Sequence, residues 1–369
     1  MTGLRIVALT SYGEHTALTG GRLRRDNLLL ALRHRGHHLE RFDVPARPGP
    51  PSAVRSVATA ASRAFRGAMA AADVALLGDV FCLPAVPLIR RGRRPIVLDL
   101  VDSPYRLVAS DPRDTPRERL TAAANSAQLV PVMQVLYPLV DAVTYISQED
   151  IEWDEGRVRH SPRTAVVPNG IAPGLFALDL SEPPDDGYVA WLADWDYPPN
   201  RDSLRWFVED VAPQLPDHVL ARVRLFGAGD PWTLRVAGRA FERARAHMRF
   251  AGFVESLDEV YNMARAVVAP VSRGAGVNNK VLEPLAAGRQ LLTTDIGTRG
   301  LPPNVLEHVE TASANDEFAK KLCDLLDTPW DPATARQARD SVHSLSWGRA
   351  GELMEDVLTS VAAIGRGGR

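Results

Sequence analysis

Lysine is almost missing from this chain. Of its 43 lysine and arginine residues, only Lys280, Lys320 and Lys321 are lysines. The arginine excess is what a GC-rich bacterial genome produces. It is balanced by 45 acidic residues, so the net charge is −2 and the charge balance lacks the excess of a nucleic-acid-binding surface. Cysteine is scarce as well: Cys82 and Cys323 stand far apart and in no C-x-x-C or C/H cluster. That spacing excludes a disulfide framework and a structural zinc site. No apolar run reaches the about 18 residues that a membrane span needs. The first residues, MTGLRIVALTSYGEH, have no basic stretch followed by an apolar one. A soluble, cytoplasmic bacterial protein is expected.

At about 150 residues per domain, 369 residues predict two domains. Short apolar runs alternate with helix-period segments throughout. Strands are predicted at Arg5–Thr10, His38–Val44, Asp73–Leu77, Pro95–Asp99, Asp141–Ile146 and Thr164–Val167. The helix Arg22–Arg35 is closed by Gly36, a common stop residue. After the polar stretch Ser181–Gly187 the alternation restarts, with strands at Tyr188–Ala193, Val223–Phe226, Met248–Ala251, Ala266–Pro270 and Gln290–Thr294. Strands alternating with helices make βαβ units and a parallel sheet. The expected fold class is α/β: two doubly wound, Rossmann-like domains spanning residues 1–180 and 181–345. An amphipathic helix in 346–369 is expected to pack back across them. Such sheets bind ligands beyond the carboxyl ends of their strands, which places the site in a cleft between the domains.

The segment AVVAPVSRGAGVNNKVLEPLAAGRQLLTTDIGTRGL, Ala266 to Leu301, carries the clearest chemistry. A strand ends at Pro270 and a glycine turn follows at Gly274 and Gly276. A helix then starts near Val277–Asn279 and stops at Gly288. Glycine lets backbone amides approach a ligand closely, and a helix start offers free N–H groups to a phosphate. Lys280 stands in the first turn, with Arg273 before the glycines. Lys280 and Glu283 are three apart and share a helix face. A diphosphate on the lysine and a ribose diol on the carboxylate fit that spacing. A solvated ion pair is the plain alternative, but a chain that avoids lysine keeps one here, beside a glycine turn.

Two other motifs compete. G-A-G-V-N-N approaches the dinucleotide fingerprint, with Asp295 downstream, but its third glycine is Asn279. Asp194-Trp195-Asp196 is a D-x-D, able to hold a divalent metal or simply to shape the turn into Pro198-Pro199-Asn200. There is no Walker A, H-E-x-x-H or G-x-S-x-G.

From Gly252 to Leu301 the chain resembles the donor-binding half of retaining GT-B glycosyltransferases of the family-4 type. The likeness rests on Gly252-Phe253-Val254, Ser256-Leu257…Tyr261, Pro270, Gly274–Gly276, Lys280, Leu282, Glu283, Ala286 and Gly288. Asp99…Asp102-Ser103, Val167-Pro168-Asn169-Gly170-Ile171 and Asp196…Asn200…Trp206-Phe207 are similar to one bacterial branch of that family. The resemblance implies sugar transfer from a nucleotide-diphosphate sugar to a secondary metabolite or glycan, with retention and with no metal or further cofactor. It gives Lys280 and Arg273 to the leaving diphosphate, Glu283 to the ribose and Phe253 with Val254 to the base. Asn200 and the backbone of Gly274, Ala275, Gly276 and Val277 complete the donor set. His15, Gly20 and Gly21 face the diphosphate and acceptor, and Asp102 orients acceptor or sugar.

The sequence departs from the family where an E-x7-E pair would put a glutamate, at Ala275. Ala193 and Ala172 also replace the usual glycine and aspartate. A catalytically silent partner that activates another transferase, or a coupling or phosphorylase reaction on the same scaffold, is therefore the alternative. Arginine groups at Arg90, Arg91, Arg93, Arg94 and Arg55, Arg63, Arg66 suit a solvated face, with peripheral membrane contact as the less favoured use.

Overall fold

A computed structural model describes residues 3–11, 20–44, 52–109, 115–158, 160–234, 238–273 and 278–367. Contacts divide the chain into two compact units, Met1–Gly170 with Trp347–Arg369, and Ile171–Ser346. Each is built on one six-stranded sheet in which every pairing is parallel.

The first unit holds β1 (Arg5–Thr10), β2 (His38–Asp43), β3 (Val74–Leu77), β4 (Ile96–Asp99), β5 (Ala142–Tyr145) and β6 (Arg163–Val166), in the order β2-β1-β3-β4-β5-β6. β3, β4 and β5 are buried at every position, which is why their sequences are continuous apolar runs. The helix Gly20–His34 follows β1, and Gly36 leaves it at φ +89°, a left-handed conformation that favours glycine. The terminal helix Trp347–Gly367 packs on this unit: Met354 and Leu358 share a core with Leu28, Leu32 and Ile6. Glu355 of that helix accepts from His37 Nε2 at 3.0 Å and pairs with Arg35.

The second unit holds β7 (Tyr188–Leu192), β8 (Val223–Phe226), β9 (Arg249–Gly252), β10 (Ala264–Ala269), β11 (Gln290–Thr293) and β12 (Glu310–Thr311), in the order β12-β11-β10-β7-β8-β9. β12 is a two-residue edge strand, too short for an alternation pattern to show. Edge-to-face contacts join Trp191, Trp195, Phe207 and Phe318 in the core of this unit.

The units divide between Gly170 and Ile171, upstream of the polar stretch at Ser181–Gly187. The cause is packing: Ile171 and Leu175 are buried in one cluster with Val281 and Leu285, and Ile171 N donates to Leu345 O at 2.7 Å. Residues 171–180 are thereby held to the second sheet. Among the described residues no helix is long and apolar enough to cross a membrane.

Strand order reverses between β1 and β3 in the first unit and between β7 and β10 in the second. At such a point the chains leaving two adjacent strands run to opposite faces, which opens a crevice for a ligand at the strand ends.

Candidate active site

The β7/β10 reversal of the second unit is where the sequence places Lys280. Beyond β7 the chain enters a tight turn. Asp196 N donates to Asp194 Oδ1 at 3.0 Å, and Tyr197 N to Asp194 O at 3.2 Å. Trp195 is fully buried and donates its indole N–H to Phe226 O at 3.0 Å. The D-x-D thus builds the turn. Pro198 and Pro199 then open the helix Pro198–Trp206, their fixed φ suiting a first turn.

Beyond β10 the chain runs through Ser272 and Arg273, and resumes at Asn278 to enter the helix Asn279–Ala286. That helix buries Val281, Leu282, Leu285 and Ala286. The opposite face carries Asn279, Lys280 and Glu283, each half-buried. Gly274, Ala275, Gly276 and Val277 lie outside the described residues.

Three residues of the Pro198–Trp206 helix reach three residues flanking that segment. Lys280 Nζ donates to Asn200 Oδ1 at 2.8 Å. Arg273 Nη2 pairs with Asp202 Oδ2 at 2.6 Å. Ser203 Oγ lies 3.1 Å from Ser272 Oγ and accepts from Ser272 N at 3.1 Å. Among the described residues, two buried polar atoms beside the same segment, Arg273 Nε and Asn279 Oδ1, have no hydrogen-bond partner. Buried polar atoms are satisfied as a rule, so this lone donor and lone acceptor are exceptions to it.

Lys280 and Glu283 do not form the solvated pair that their spacing allows. Among the described residues no carboxylate lies within ion-pair distance of Lys280, and burial lowers its pKa to about 8. Glu283 faces the buried Tyr261, whose hydroxyl donates to Oε2 at 3.5 Å. Burial raises the Glu283 carboxyl to about 7, partly offset by that hydroxyl. Phe253 follows the end of β9, 58% exposed, with Val254 packed against the core beside it. Asp295, the acidic residue of the dinucleotide motif, accepts from Ser313 Oγ at 2.8 Å.

In the first unit, β4 ends in Asp99, which is fully buried between two arginines. Arg24 Nη2 reaches Oδ1 at 2.8 Å, Arg25 Nη1 reaches Oδ2 at 2.5 Å, and Thr144 Oγ1 donates to Oδ1 at 2.6 Å. Asp102, three residues on, is half-buried. Burial and the neighbouring Asp150 raise its pKa to about 7 against the pull of Arg24 and Arg106. Gly20 and Gly21 are the first residues of the helix after β1. His15 lies outside the described residues.

The structure therefore brings Lys280, Asn200 and Arg273 to one place, and puts Glu283 on the helix face of Lys280. Asp102, Gly20 and Gly21 sit at strand ends of the other sheet. Sequence reasoning gave Tyr261 no site role, and it missed Asp202, Ser203 and Ser272, and the Arg24–Asp99–Arg25 cluster. Tandem arginines at a helix start, with an acid closing an apolar strand, were the available signal for that cluster. The other four residues are common types whose contacts span 22 to 71 positions, with no local pattern to reveal them.

Residues 187–328 match the family model described as glycosyl transferases group 1. No curated protein matches the chain by sequence. Among solved structures, the chain is similar to the sucrose-phosphate synthase of Thermosynechococcus elongatus, at 16% identity over 97% of this chain and 99% of that one, TM-score 0.71. WaaG, a glycosyltransferase involved in lipopolysaccharide biosynthesis, aligns at 16% identity over 96% and 99%, TM-score 0.69. Anabaena HepE, solved with UDP and glucose, aligns at 14% identity over 97% and 100%, TM-score 0.65. These likenesses show the fold: two Rossmann-like α/β domains of the GT-B type.

Proposed function

We propose that this chain is a glycosyltransferase moving a sugar from a nucleotide-diphosphate sugar to a secondary metabolite or glycan. The observation that carries the reading is Lys280: a half-buried ammonium at the β7/β10 reversal, bonded to a neutral amide and, among the described residues, to no carboxylate. An uncancelled cation at a strand-end crevice is built to meet an anion from outside. In this reading Lys280 and Arg273 receive the charge on the leaving diphosphate as the bond from the anomeric carbon to the phosphate oxygen breaks. The bond to the acceptor oxygen forms at that carbon. Glu283 accepts from the ribose hydroxyls, and the exposed ring of Phe253, with Val254, borders the base. Asn200, Asn279 and the backbone of residues 274–277 line the donor site. The first unit takes the acceptor: His15, Gly20 and Gly21 face the diphosphate and acceptor, with Gly20 and Gly21 in the donor set, and Asp102 orients acceptor or sugar.

Retention at the anomeric carbon follows from the resemblance of Gly252–Leu301 to retaining enzymes. Charge stabilisation by Lys280 and Arg273 takes the place of a metal, so transfer should persist in EDTA. HepE has been solved with UDP-glucose, which makes uridine nucleotides the first to test. Calorimetry with UDP, dTDP and GDP, then mass spectrometry of sugar-nucleotide hydrolysis, tests the reading. Micromolar binding that Lys280→Ala weakens about 100-fold supports it. A wild-type chain that binds no nucleotide points instead to a silent partner protein on this scaffold, the role that the missing glutamate at Ala275 would suit.

A further inference from the structure

We propose that Asn200 is a positioning residue: it aims the Lys280 ammonium into the phosphate seat while leaving its charge uncancelled. The inference rests on the reading of Lys280 as the diphosphate ligand, and it adds what sets that ligand's direction and charge.

Asn200 is buried, 8% exposed, and held on three sides. Its backbone N donates to Tyr197 O at 3.0 Å, and its Nδ2 donates to Asp194 O at 2.8 Å. That second bond fixes which way the amide faces. Turned over, it would set a donor against the ammonium and an acceptor against a carbonyl. Oδ1 is thus presented to Lys280 Nζ by a fixed frame, at the end of a turn that Asp194 and the buried Trp195 hold rigid.

The same helix treats the two cations differently. Arg273 receives a carboxylate from Asp202, and Lys280 receives a neutral oxygen from Asn200. A carboxylate at position 200 would form an ion pair with Lys280 and compete with the diphosphate for it. An amide of the same shape directs the ammonium without that competition. The other charged or titratable groups close by are already engaged. Glu283 faces Tyr261, Arg273 is paired with Asp202, and the Asp194 carboxylate accepts from the turn backbone.

The scarcity of lysine makes the test direct. With Lys280, Lys320 and Lys321 as the only lysines, protein labelled with ¹³C and ¹⁵N lysine shows three side-chain signals. In the wild type one of them should titrate near 8 and sharpen or shift on addition of UDP. Asn200→Asp should move that titration up by one pH unit or more and weaken UDP binding at least tenfold. Asn200→Ala should weaken UDP at least tenfold while uridine, which has no phosphate, binds as before. An unmoved lysine titration in a folded Asn200→Asp protein would overturn the proposal. So would Asn200→Ala losing UDP and uridine equally, or losing neither. If Asn200→Asp does not fold, the UDP-to-uridine ratio of Asn200→Ala decides alone. Wild-type protein that binds none of UDP, dTDP and GDP would refute the transferase reading, and the lysine titration would then still test the positioning role.

Discussion

Arg273 holds its guanidinium 2.6 Å from the carboxylate of Asp202, whereas Lys280 has, among the described residues, only an amide oxygen for a partner. One cation of the candidate diphosphate site is already answered by an anion, and the other is not. The two should therefore differ in what they contribute to anion binding. Lys280→Ala is expected to weaken UDP binding about 100-fold, the upper range for a charge-assisted bond. Arg273→Ala is expected to weaken it about tenfold. Calorimetry on both variants checks the ranking, and equal losses would mean that Asp202 does not attenuate Arg273.

Binding should depend on pH in two opposite limbs. Glu283 titrates at about 7 in the free protein, so its capacity to accept from ribose hydroxyls grows as pH rises through 7. Lys280 titrates at about 8, so its charge fades as pH rises past 8. UDP affinity is thus expected to peak between the two and to fall on either side. Glu283→Gln should flatten the acid limb, and Lys280→Met the alkaline one, in titrations at constant ionic strength from pH 5.5 to 9.5.

Glu283 should also cost stability. Its folded pKa of about 7 lies above its ordinary 4.5, so the folded state holds more protons between those values. Stability contributed by this group is present at low pH and is lost as pH rises toward 7. Glu283→Gln should then raise stability at pH 8 by up to about 3 kcal/mol, at 1.36 kcal/mol per pH unit. At pH 5 it should change it little. Urea unfolding at the two pH values measures the difference.

Two aspartates at the end of β4 should behave in opposite ways. Asp99 is the counter-charge of buried Arg24 and Arg25, so Asp99→Ala leaves two cations in the core. A loss of about 3–5 kcal/mol is expected from denaturant unfolding. Asp102 is held at about 7 by burial and by Asp150, so ionising it above that pH is a cost. Asp102→Asn should leave stability unchanged or raise it at pH 8. In the proposed function it should lower transfer, which a kinetic assay with a matched donor would show.

The alternation of apolar runs and helices was legible because the inner strands β3, β4, β5 and β10 are buried at every position, which forces a continuous apolar composition on them. Gly36 was legible as a helix stop because its φ is positive, and Gly288, which follows the helix Asn279–Ala286, has φ +68°. The tail helix was legible as amphipathic, but its pattern did not say which unit it covers. That choice belongs to Leu28, Leu32 and Ile6, more than 300 positions away. The polar stretch at Ser181–Gly187 read as the division between domains because composition changes there. The division follows contacts instead, and Ile171 and Leu175 carry the preceding residues into the second core.

By itself, the sequence determined the α/β class, the positions of most strands in both halves and the singling out of Lys280, since each depends on local pattern or composition. Tertiary structure decided what Lys280 is bonded to, that Glu283 is joined to Tyr261, and that Arg273 is shared with Asp202. Charge and pKa depend on burial and on neighbours brought together from distant strand ends. Those neighbours are set by strand order, and no short stretch of residues encodes it.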